Sequence, residues 1–304
     1  MFPKALVVWS SLALAVSIAV AADVAPAAAK LSATDVADKN VAARGGLQAW
    51  RAVHTMSLAG KLGAGGNQRA TLQIPVPTQA AGPVQKSSQQ PLPVAARPVE
   101  EVQLQFLMDL ERPRKMRFEL QFNGQTAIQV FDGANGWKLR PFLNRRVVEP
   151  YTDDEMKTTS RQADLDGPLV DYAAKGTRVE LDGMEKVEDR DTYKLKLTLK
   201  NGEAIHVWID AQTFLEAKIE GQPRRLDGAD HPVEVYFRDY RAVNGLQIPF
   251  VLETRVLPVA QTAMGFRDTP VPAERTIIDK VVVNPKLDDT LFSKPEIGIA
   301  SNAR

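Results

Sequence analysis

The sequence predicts a mainly β protein built on one large antiparallel sheet and a few short helices. The first observation is the alternation of apolar and polar residues through most of residues 99–283, which is clearest in residues 193–200. Side chains on a strand alternate between its faces, so this pattern indicates a sheet with one apolar and one polar face. The second is the spacing of turn signals such as Asn123-Gly124 and Asn244-Gly245, which are typical of hairpins. Because a single apolar face must be covered, we expect the sheet to curl around helices or a ligand.

Composition limits the classes of protein to consider. The chain has 304 residues, of which 44% are hydrophobic and 25% charged, which suffices for a sizeable core in one or two domains. The formal net charge is +1, so there is no basic field that would attract nucleic acid or an anionic membrane. There is no cysteine, which excludes disulfide bonds and a lipid-anchored N-terminal cysteine. We therefore expect a neutral or apolar partner and no nucleic acid.

Residues 1–21 have the pattern of a cleavable secretory signal peptide. Lys4 precedes an apolar run over residues 5–20, and Ala19-Val20-Ala21 offers a small-x-small cleavage site. The run is shorter than the roughly 20 residues of a membrane-spanning helix, although an uncleaved anchor is the alternative. Secretion without disulfides favours a bacterial periplasm as the location.

The remaining chain is predicted to form one domain over residues 32–296. Residues 22–31 are Ala-rich and are predicted to be a flexible N-terminal segment, and residues 297–304 a flexible tail. Residues 64–98 are rich in proline and glutamine, so they are predicted to be a disordered insertion between two strands of the sheet.

The predicted elements follow from periodicity and capping signals. Helices are expected at residues 32–44, which Gly45-Gly46 ends, at 47–53, and at 152–163, where Thr152 and Glu155 form a capping box. Residues 167–174 are expected to be a short apolar helix or lid, and residues 287–292 a closing tail segment. Strands are expected at 55–62, 102–110, 116–122, 125–131, 137–139, 177–187, 192–199, 204–209, 214–220, 233–241, 248–257 and 276–283.

The sequence does not favour an enzyme, a metal site or a cofactor. The three histidines are His54, His206 and His231, and none has a second ligand at metal-binding spacing. The run Asp164-Leu165-Asp166-Gly167 resembles only the start of a calcium loop, and the acids at 153–155 suit the first turn of a helix. The group Arg140, Arg145 and Arg146 leaves two interpretations open, a docking site or a solvated loop.

The large apolar side chains of the predicted inner face are the best candidates for a binding site. They are either an ordinary filled core or the lining of a cavity. The cavity prediction comprises Phe106, Met108, Met116, Phe118, Leu120, Phe122, Trp137, Leu195 and Leu197 as lining residues, with Leu169, Val170 and Tyr172 in a lid.

A series of short motifs resembles the LolA/LolB-like outer-membrane lipoprotein-sorting family. These are an N-terminal helix ending at Gly-Gly, a short helix with Trp50, residues 110–117 (LERPRKMR), residues 131–137 (FDGANGW) and the hairpin at 209–211. The later motifs are DYR at 239–241, NGLQIP at 244–249, Asn284-Pro285 and the Leu291-Phe292 pair. The resemblance extends from about Ala33 to Pro295 outside the insertion.

This resemblance implies an incomplete, unclosed antiparallel β-barrel of about 10–11 strands, with helices covering its concave face. It implies a monomeric periplasmic carrier whose cavity holds acyl chains of a lipid or an acylated lipoprotein, exchanged with a membrane-bound donor or acceptor protein. It equally allows a non-enzymatic envelope sensor that uses the same fold to regulate a partner.

Overall fold

One antiparallel sheet of thirteen strands forms the framework of the protein. The computed structural model describes residues 31–65, 101–141, 145–226, 228–259 and 271–296. The strands are β1 (Thr55–Gly65), β2 (Glu101–Glu111), β3 (Lys115–Phe122), β4 (Gln125–Phe131), β5 (Gly136–Arg140), β6 (Arg145–Pro150), β7 (Arg178–Val187), β8 (Arg190–Thr198), β9 (Ala204–Asp210), β10 (Glu216–Glu220), β11 (Arg224–Leu226), β12 (Ala229–His231), β13 (Val233–Val243), β14 (Leu246–Val256) and β15 (Glu274–Val283). Strands β11 and β12 form a separate pair, and the other thirteen form the sheet.

The sheet is open. Its strand order is β6-β5-β4-β3-β2-β1-β15-β14-β13-β10-β9-β8-β7, so β6 and β7 are its two edges. The chain between these edges contains helix α3 (Asp153–Gln162) and residues 164–176, which we call the plug segment. The predicted mainly β, unclosed architecture is therefore confirmed.

Strand pairing follows the alternation seen in the sequence. Leu195 on β8 pairs with Val207 on β9, and both side chains are fully buried. The intervening pair, Lys196 and His206, lies on the opposite face. The turn between β3 and β4 has positive φ angles at Asn123 (48°) and Gly124 (71°), as a two-residue type I′ hairpin turn requires.

The helices begin where their capping residues predict. Helix α1 (Ala33–Ala43) starts after Ser32, which forms a capping box with Asp35, and α3 starts after Thr152, which forms one with Glu155. Helix α2 (Leu47–Arg51) follows α1 directly. Between them, a Cβ on Gly45 would lie 2.5 Å from the carbonyl oxygen of Gly245, so only glycine permits this close approach to the β13–β14 hairpin. None of the helices among the described residues is long and apolar enough to cross a membrane.

Three local predictions differ from the structure. The sheet has thirteen strands, and β6 was not predicted, because its short sequence RRVVEP shows no clear alternation. The pair β11–β12 has only three residues per strand, which is too short for a periodic signal. The plug segment consists of turns, and the positive φ angles of Gly167, Asp171 and Gly176 are incompatible with a helix there.

Four predicted segments lie outside the described residues. They are the signal peptide, residues 22–30 of the N-terminal segment 22–31, the insertion from residue 66, and the tail 297–304. Strand β1 itself continues to Gly65, whose ladder partner on β2 is Glu101. The residues between them therefore join adjacent ends of two paired strands.

This geometry makes a testable prediction about the insertion. Replacing residues 66–100 with a four-residue Gly/Asn turn should raise the thermal midpoint by a few degrees, since a short turn can join paired strand ends and about three halvings of the loop length each favour closure by about 0.6 kcal/mol. Circular dichroism melting of the shortened and full-length proteins provides the measurement. A collapse of folding would show that residues 66–100 stabilise the domain.

Candidate functional site

The concave face of the sheet carries a continuous cluster of apolar side chains. On β1 and β2, Met56 pairs with Leu110 and Leu58 pairs with Met108, so these side chains share one face. On β3, Met116 and Phe118 pair with the same two β2 residues and lie on that face as well. Helix α2 and the plug segment cover one end of this cluster. The covering side chains are Trp50, Val53, Leu165 and Val170.

Burial is greatest at the covered end of this face, although Phe106, further along β2, is also buried. Met56, Leu110 and Met116 are buried at the covered end. Seven apolar side chains nearer the open end are only half-buried, and we call them the apolar stripe: Leu58, Leu62, Leu104, Met108, Phe118, Leu120 and Phe122. The stripe is thus an apolar surface that the described part of the chain leaves partly uncovered.

Six of the residues proposed from sequence as cavity lining are together on this face. They are Phe106, Met108, Met116, Phe118, Leu120 and Phe122. The rings of Phe106 and Phe118 stack with centroids 5.7 Å apart. Sequence reasoning did not assign Leu58, Leu62 or Leu104 to the site, although alternate apolar residues in β1 and β2 provide the signal for them.

Trp137 does not lie on the concave face, and this part of the prediction is wrong. Trp137 pairs with Val130, which pairs with Arg117, so all three belong to the convex face. The concave position of β5 is occupied by Lys138, whose ammonium group donates to both carboxylate oxygens of Glu155 on α3.

Leu195 and Leu197 lie on the concave face but in a different environment. Both have no exposed surface, and their register partners Val207 and Ile205 are also buried. Helix α1 contacts the neighbouring strand β7 and buries Val36 completely. Leu195 and Leu197 therefore belong to a filled part of the core, which corrects their assignment as cavity lining.

The plug segment closes the covered end and is anchored by charged groups. Leu169 and Val170 are fully buried, and Tyr172 is half-buried. The side chain of Asp166 is 1% exposed. It accepts hydrogen bonds from Arg112 at 2.6 Å and from Lys175 at 2.5 Å.

Further hydrogen bonds fix the same segment from three sides. The carbonyl oxygen of Asp166 accepts from Arg44 at 2.8 Å, and Lys175 also donates to Asp164 at 2.8 Å. Arg112 donates to the carbonyl oxygens of Trp50 and Val53, which ties the segment to the end of α2. This network holds the plug segment against the fold.

The two carboxyl groups near Lys175 have pKa values shifted in opposite directions. Burial raises the pKa of Asp166, but the charges and hydrogen bonds of Lys175 and Arg112 outweigh it, so the pKa lies below its ordinary value. Burial raises the pKa of Asp164 above its ordinary value, although Lys175 opposes the shift. Asp166 is thus the ionised anchor. The cations that bind the two carboxyl groups, Arg112 and Lys175, belong to the chain itself.

Two of the charged residues singled out in the sequence, Arg140 and His206, have structural partners. Arg140 donates to Glu155 at 2.6 Å, so it is an ion-pair partner of α3. His206 lies on the convex face between Glu220 and Asp182. Among the residues that the structure describes, no cluster of three or more His, Cys, Asp or Glu side chains could hold a metal ion. The arrangement on the concave face is suited to binding an apolar chain.

The fold is similar to that of solved structures. A LolA superfamily protein from Nitrosomonas europaea aligns with 87% of this chain and 99% of its own, at 12% identity and a TM-score of 0.50. A putative outer membrane lipoprotein-sorting protein domain from Vibrio parahaemolyticus aligns over 86% and 96%, at 12% identity and a TM-score of 0.48. A DUF1329 family protein from Desulfovibrio piger aligns over 86% and 98%, at 12% identity and a TM-score of 0.49. No protein-family model matches the sequence, and no curated protein matches it.

The class of protein is therefore an open antiparallel half-barrel, and its fold is like that of the LolA superfamily protein. The resemblance seen in the sequence is confirmed for the fold. At 12% identity the likeness concerns the fold alone.

Proposed function

We propose that this protein is a non-enzymatic periplasmic carrier that holds acyl chains of a lipid or an acylated lipoprotein on its concave face. The observation that carries the proposal is the apolar stripe, seven side chains that are half-buried on the inner side of a curved sheet. Half-buried apolar side chains that lie side by side on one face offer a surface on which an apolar chain gains free energy by burial. The LolA-like fold supports the same assignment, since a protein of that superfamily has the same half-barrel.

The energetics of acyl-chain burial suit a reversible carrier. Burying each CH₂ contributes about 0.8 kcal/mol, so a chain of about 16 carbons gains on the order of 10 kcal/mol gross. Lost translational and conformational freedom offsets much of this gain, which leaves an affinity that a membrane or partner can reverse.

The plug segment determines the direction of entry in this proposal. Asp166 anchors it through Arg112 and Lys175, so the covered end stays closed while the chain enters from the open end beyond Leu104 and Phe122. Leu169, Val170 and Tyr172 then form the inner end of the site. A membrane-bound donor or acceptor protein would meet a monomeric carrier at the open end.

Two alanine variants test the carrier proposal. Phe118→Ala removes a half-buried ring from the stripe, so it should weaken binding of the fluorescent, uncharged reporter N-phenyl-1-naphthylamine several-fold. Leu195→Ala empties a fully packed site, so it should lower the free energy of unfolding by about 2–5 kcal/mol without changing the affinity of the remaining folded protein. Fluorescence titration and urea unfolding measure the two quantities.

Native mass spectrometry of protein purified from a bacterial periplasm completes the test, because a carrier should retain a co-purified lipid. A wild-type protein that binds neither lipid nor reporter would contradict the proposal.

The convex face favours a second candidate, an envelope sensor that contacts a protein partner. Leu107 and Ile277 are each 37% exposed there, on strands that flank β1. A sensor of this kind would lose partner binding in Leu107→Ser and keep partner binding in Phe118→Ala. The carrier proposal predicts that Phe118→Ala weakens reporter binding and that Leu107→Ser leaves it unchanged.

A further inference from the structure

The edge strand β7 leaves one side of its backbone unpaired. Among the described residues it is the last strand in the sheet order, and its ladder partners are all on β8. The strand covers residues 178–187, of which Val187 alone is buried. A free strand edge presents N–H and C=O groups to which another extended segment can add as a further strand. The chemistry of this edge therefore favours a polypeptide as its ligand.

Two exposed apolar side chains lie on the concave side of β7. Leu181 and Met184 pair across the ladder with Leu195 and Tyr193 of β8, which belong to that side. They are 40% and 59% exposed, although helix α1 also contacts β7. Side chains opposite each other on neighbouring strands stabilise a sheet by packing together. An added strand therefore gains apolar contacts on this side if its own side chains there are apolar.

Acidic side chains occupy the convex side of the same strand. They are Glu180, Asp182 and Glu185, and all three are exposed. Lys194 of β8 lies 3.5 Å from Asp182 and 3.6 Å from Glu185 on the paired side. These two carboxylates are 50% and 46% exposed, and a carboxylate can accept from several donors. Basic residues of an added strand would therefore find anionic partners on this side.

Strand β8 shows which kind of segment pairs with β7. It follows β7 along its whole length and passes the bulge at residues 182–183. Apolar and basic residues alternate in its centre, with Tyr193, Leu195 and Leu197 on the concave side and Lys194 and Lys196 on the convex side. The side chains of β7 stand above and below the sheet, so a strand on its outer edge meets the same neighbours as β8 does. The complement of the outer edge is thus a second segment with this pattern.

We propose that the outer edge of β7 binds an extended segment of a partner protein in which apolar and basic residues alternate. The site lies on a different strand from the apolar stripe, so the inference goes beyond the carrier function and does not depend on it. A second copy of this chain is a poorer occupant. The convex side of β7 carries three acids and one base, Arg178, and like charges opposite each other destabilise a ladder.

The probe is a fluorescently labelled peptide with the sequence of residues 190–198, RDTYKLKLT. Fluorescence anisotropy with wild-type protein should show saturable binding with a dissociation constant below about 1 mM. A peptide that carries Lys194→Glu and Lys196→Glu should bind roughly tenfold more weakly or worse, because its acids meet the acids of β7. The proposal is overturned by equal affinity of the two peptides, or by no saturable binding of the first up to about 1 mM.

N-methylation of the peptide tests whether the main chains pair. Successive N–H groups of a strand point to opposite edges. Methyl groups at the positions of Tyr193, Leu195 and Leu197 therefore block one edge of the peptide, and those at Lys194 and Lys196 block the other. One methylated peptide should lose binding, and the other should keep most of it. Equal affinities of the two methylated peptides would overturn strand addition.

A variant of the protein locates the binding site. Met184→Ser removes apolar contact area without changing charge, so it should weaken binding of the unmodified peptide by roughly fivefold. The matched control is Val147→Ser on the other edge strand, β6, because Val147 is 58% exposed and Met184 is 59% exposed. The control should keep the wild-type affinity, and both variants the wild-type thermal midpoint. Equal affinity of the two variants would overturn the assignment to β7.

Sedimentation equilibrium distinguishes a partner protein from a second copy. Wild-type protein should remain monomeric over the concentrations used for the peptide titration. Dimers that Met184→Ser abolishes would overturn a partner protein as the occupant and assign the edge to a second copy of this chain.

Discussion

Replacement of Asp166 by alanine should lower the free energy of unfolding by roughly 3–5 kcal/mol, the usual cost of removing one partner from a buried ion pair. The Asp166 carboxylate is 1% exposed and binds Arg112 and Lys175, so its loss removes the carboxylate partner of Arg112 and leaves Lys175 with Asp164 alone. The backbone of the plug segment also loses its tie to the β2–β3 turn, where Arg112 lies. Urea unfolding followed by tryptophan fluorescence measures the change.

The ion pair between Arg51 and Asp171 provides a matched control in the same region. Its side chains are 49% and 24% exposed, so solvent screens it and Arg51→Ala, which removes the partner on α2, should change the free energy of unfolding far less. Equal losses in Asp166→Ala and Arg51→Ala would show that the buried anchor has no special role.

The pH dependence of stability should identify the same carboxylate. Because the folded pKa of Asp166 lies below its ordinary value of 3.8, its stabilising contribution is present above that value and is lost as the pH falls through the folded pKa. The raised pKa of Asp164 acts in the opposite sense, since its contribution is present at low pH and is lost as the pH rises through its folded pKa. Asp166→Asn should therefore flatten the acid side of the stability profile, which urea unfolding at a series of pH values measures.

Alternation in the sequence could predict the sheet but not the face of every strand. Strand β5 has only five residues, too few for a decisive period, and Trp137 was placed on the wrong face. The convex face beside it is also buried, because a 3₁₀ helix at Asp289–Phe292 packs on β3 and Arg117 donates to the carbonyl oxygen of Leu291. On β4, apolar residues occupy both faces, with Ala127 and Phe131 on the concave side and Ile128 and Val130 on the convex side, which removes the contrast on which the prediction depends.

The anchor of the plug segment was not predictable from local patterns. Asp166 lies 54 residues from Arg112 and 122 residues from Arg44. The sequence around it, Asp164-Leu165-Asp166-Gly167, indicates only a loop with two acids. Its importance comes from chain topology, which brings the β2–β3 turn and the end of α1 to the same place.

Local patterns also could not distinguish the filled core from the candidate site. Leu195 and Leu120 occupy equivalent positions in alternating strands, and both lie on the concave face. Periodicity indicates which face a residue is on but not what covers that face. Leu195 is fully buried, whereas Leu120 remains half-buried.

A charge in the middle of the apolar stripe should abolish lipid binding. Leu120→Glu places a carboxylate beside Phe118 and Phe106, where an acyl chain would have to desolvate it. We expect the affinity for N-phenyl-1-naphthylamine to fall by roughly 100-fold or more, which corresponds to about 2.8 kcal/mol of binding free energy. Fluorescence titration of the purified variant gives the dissociation constant.

The convex face supplies the control for this variant. Ile277 is 37% exposed and pairs with Lys61, so Ile277→Glu introduces the same charge on the other side of the sheet. Both variants should lose a similar stability of roughly 1 kcal/mol, because each replaces a partly exposed apolar side chain. Only Leu120→Glu should lose binding. Equal loss of binding in the two variants would assign the reporter to another surface, and unchanged binding in Leu120→Glu would exclude the apolar stripe as the lipid site.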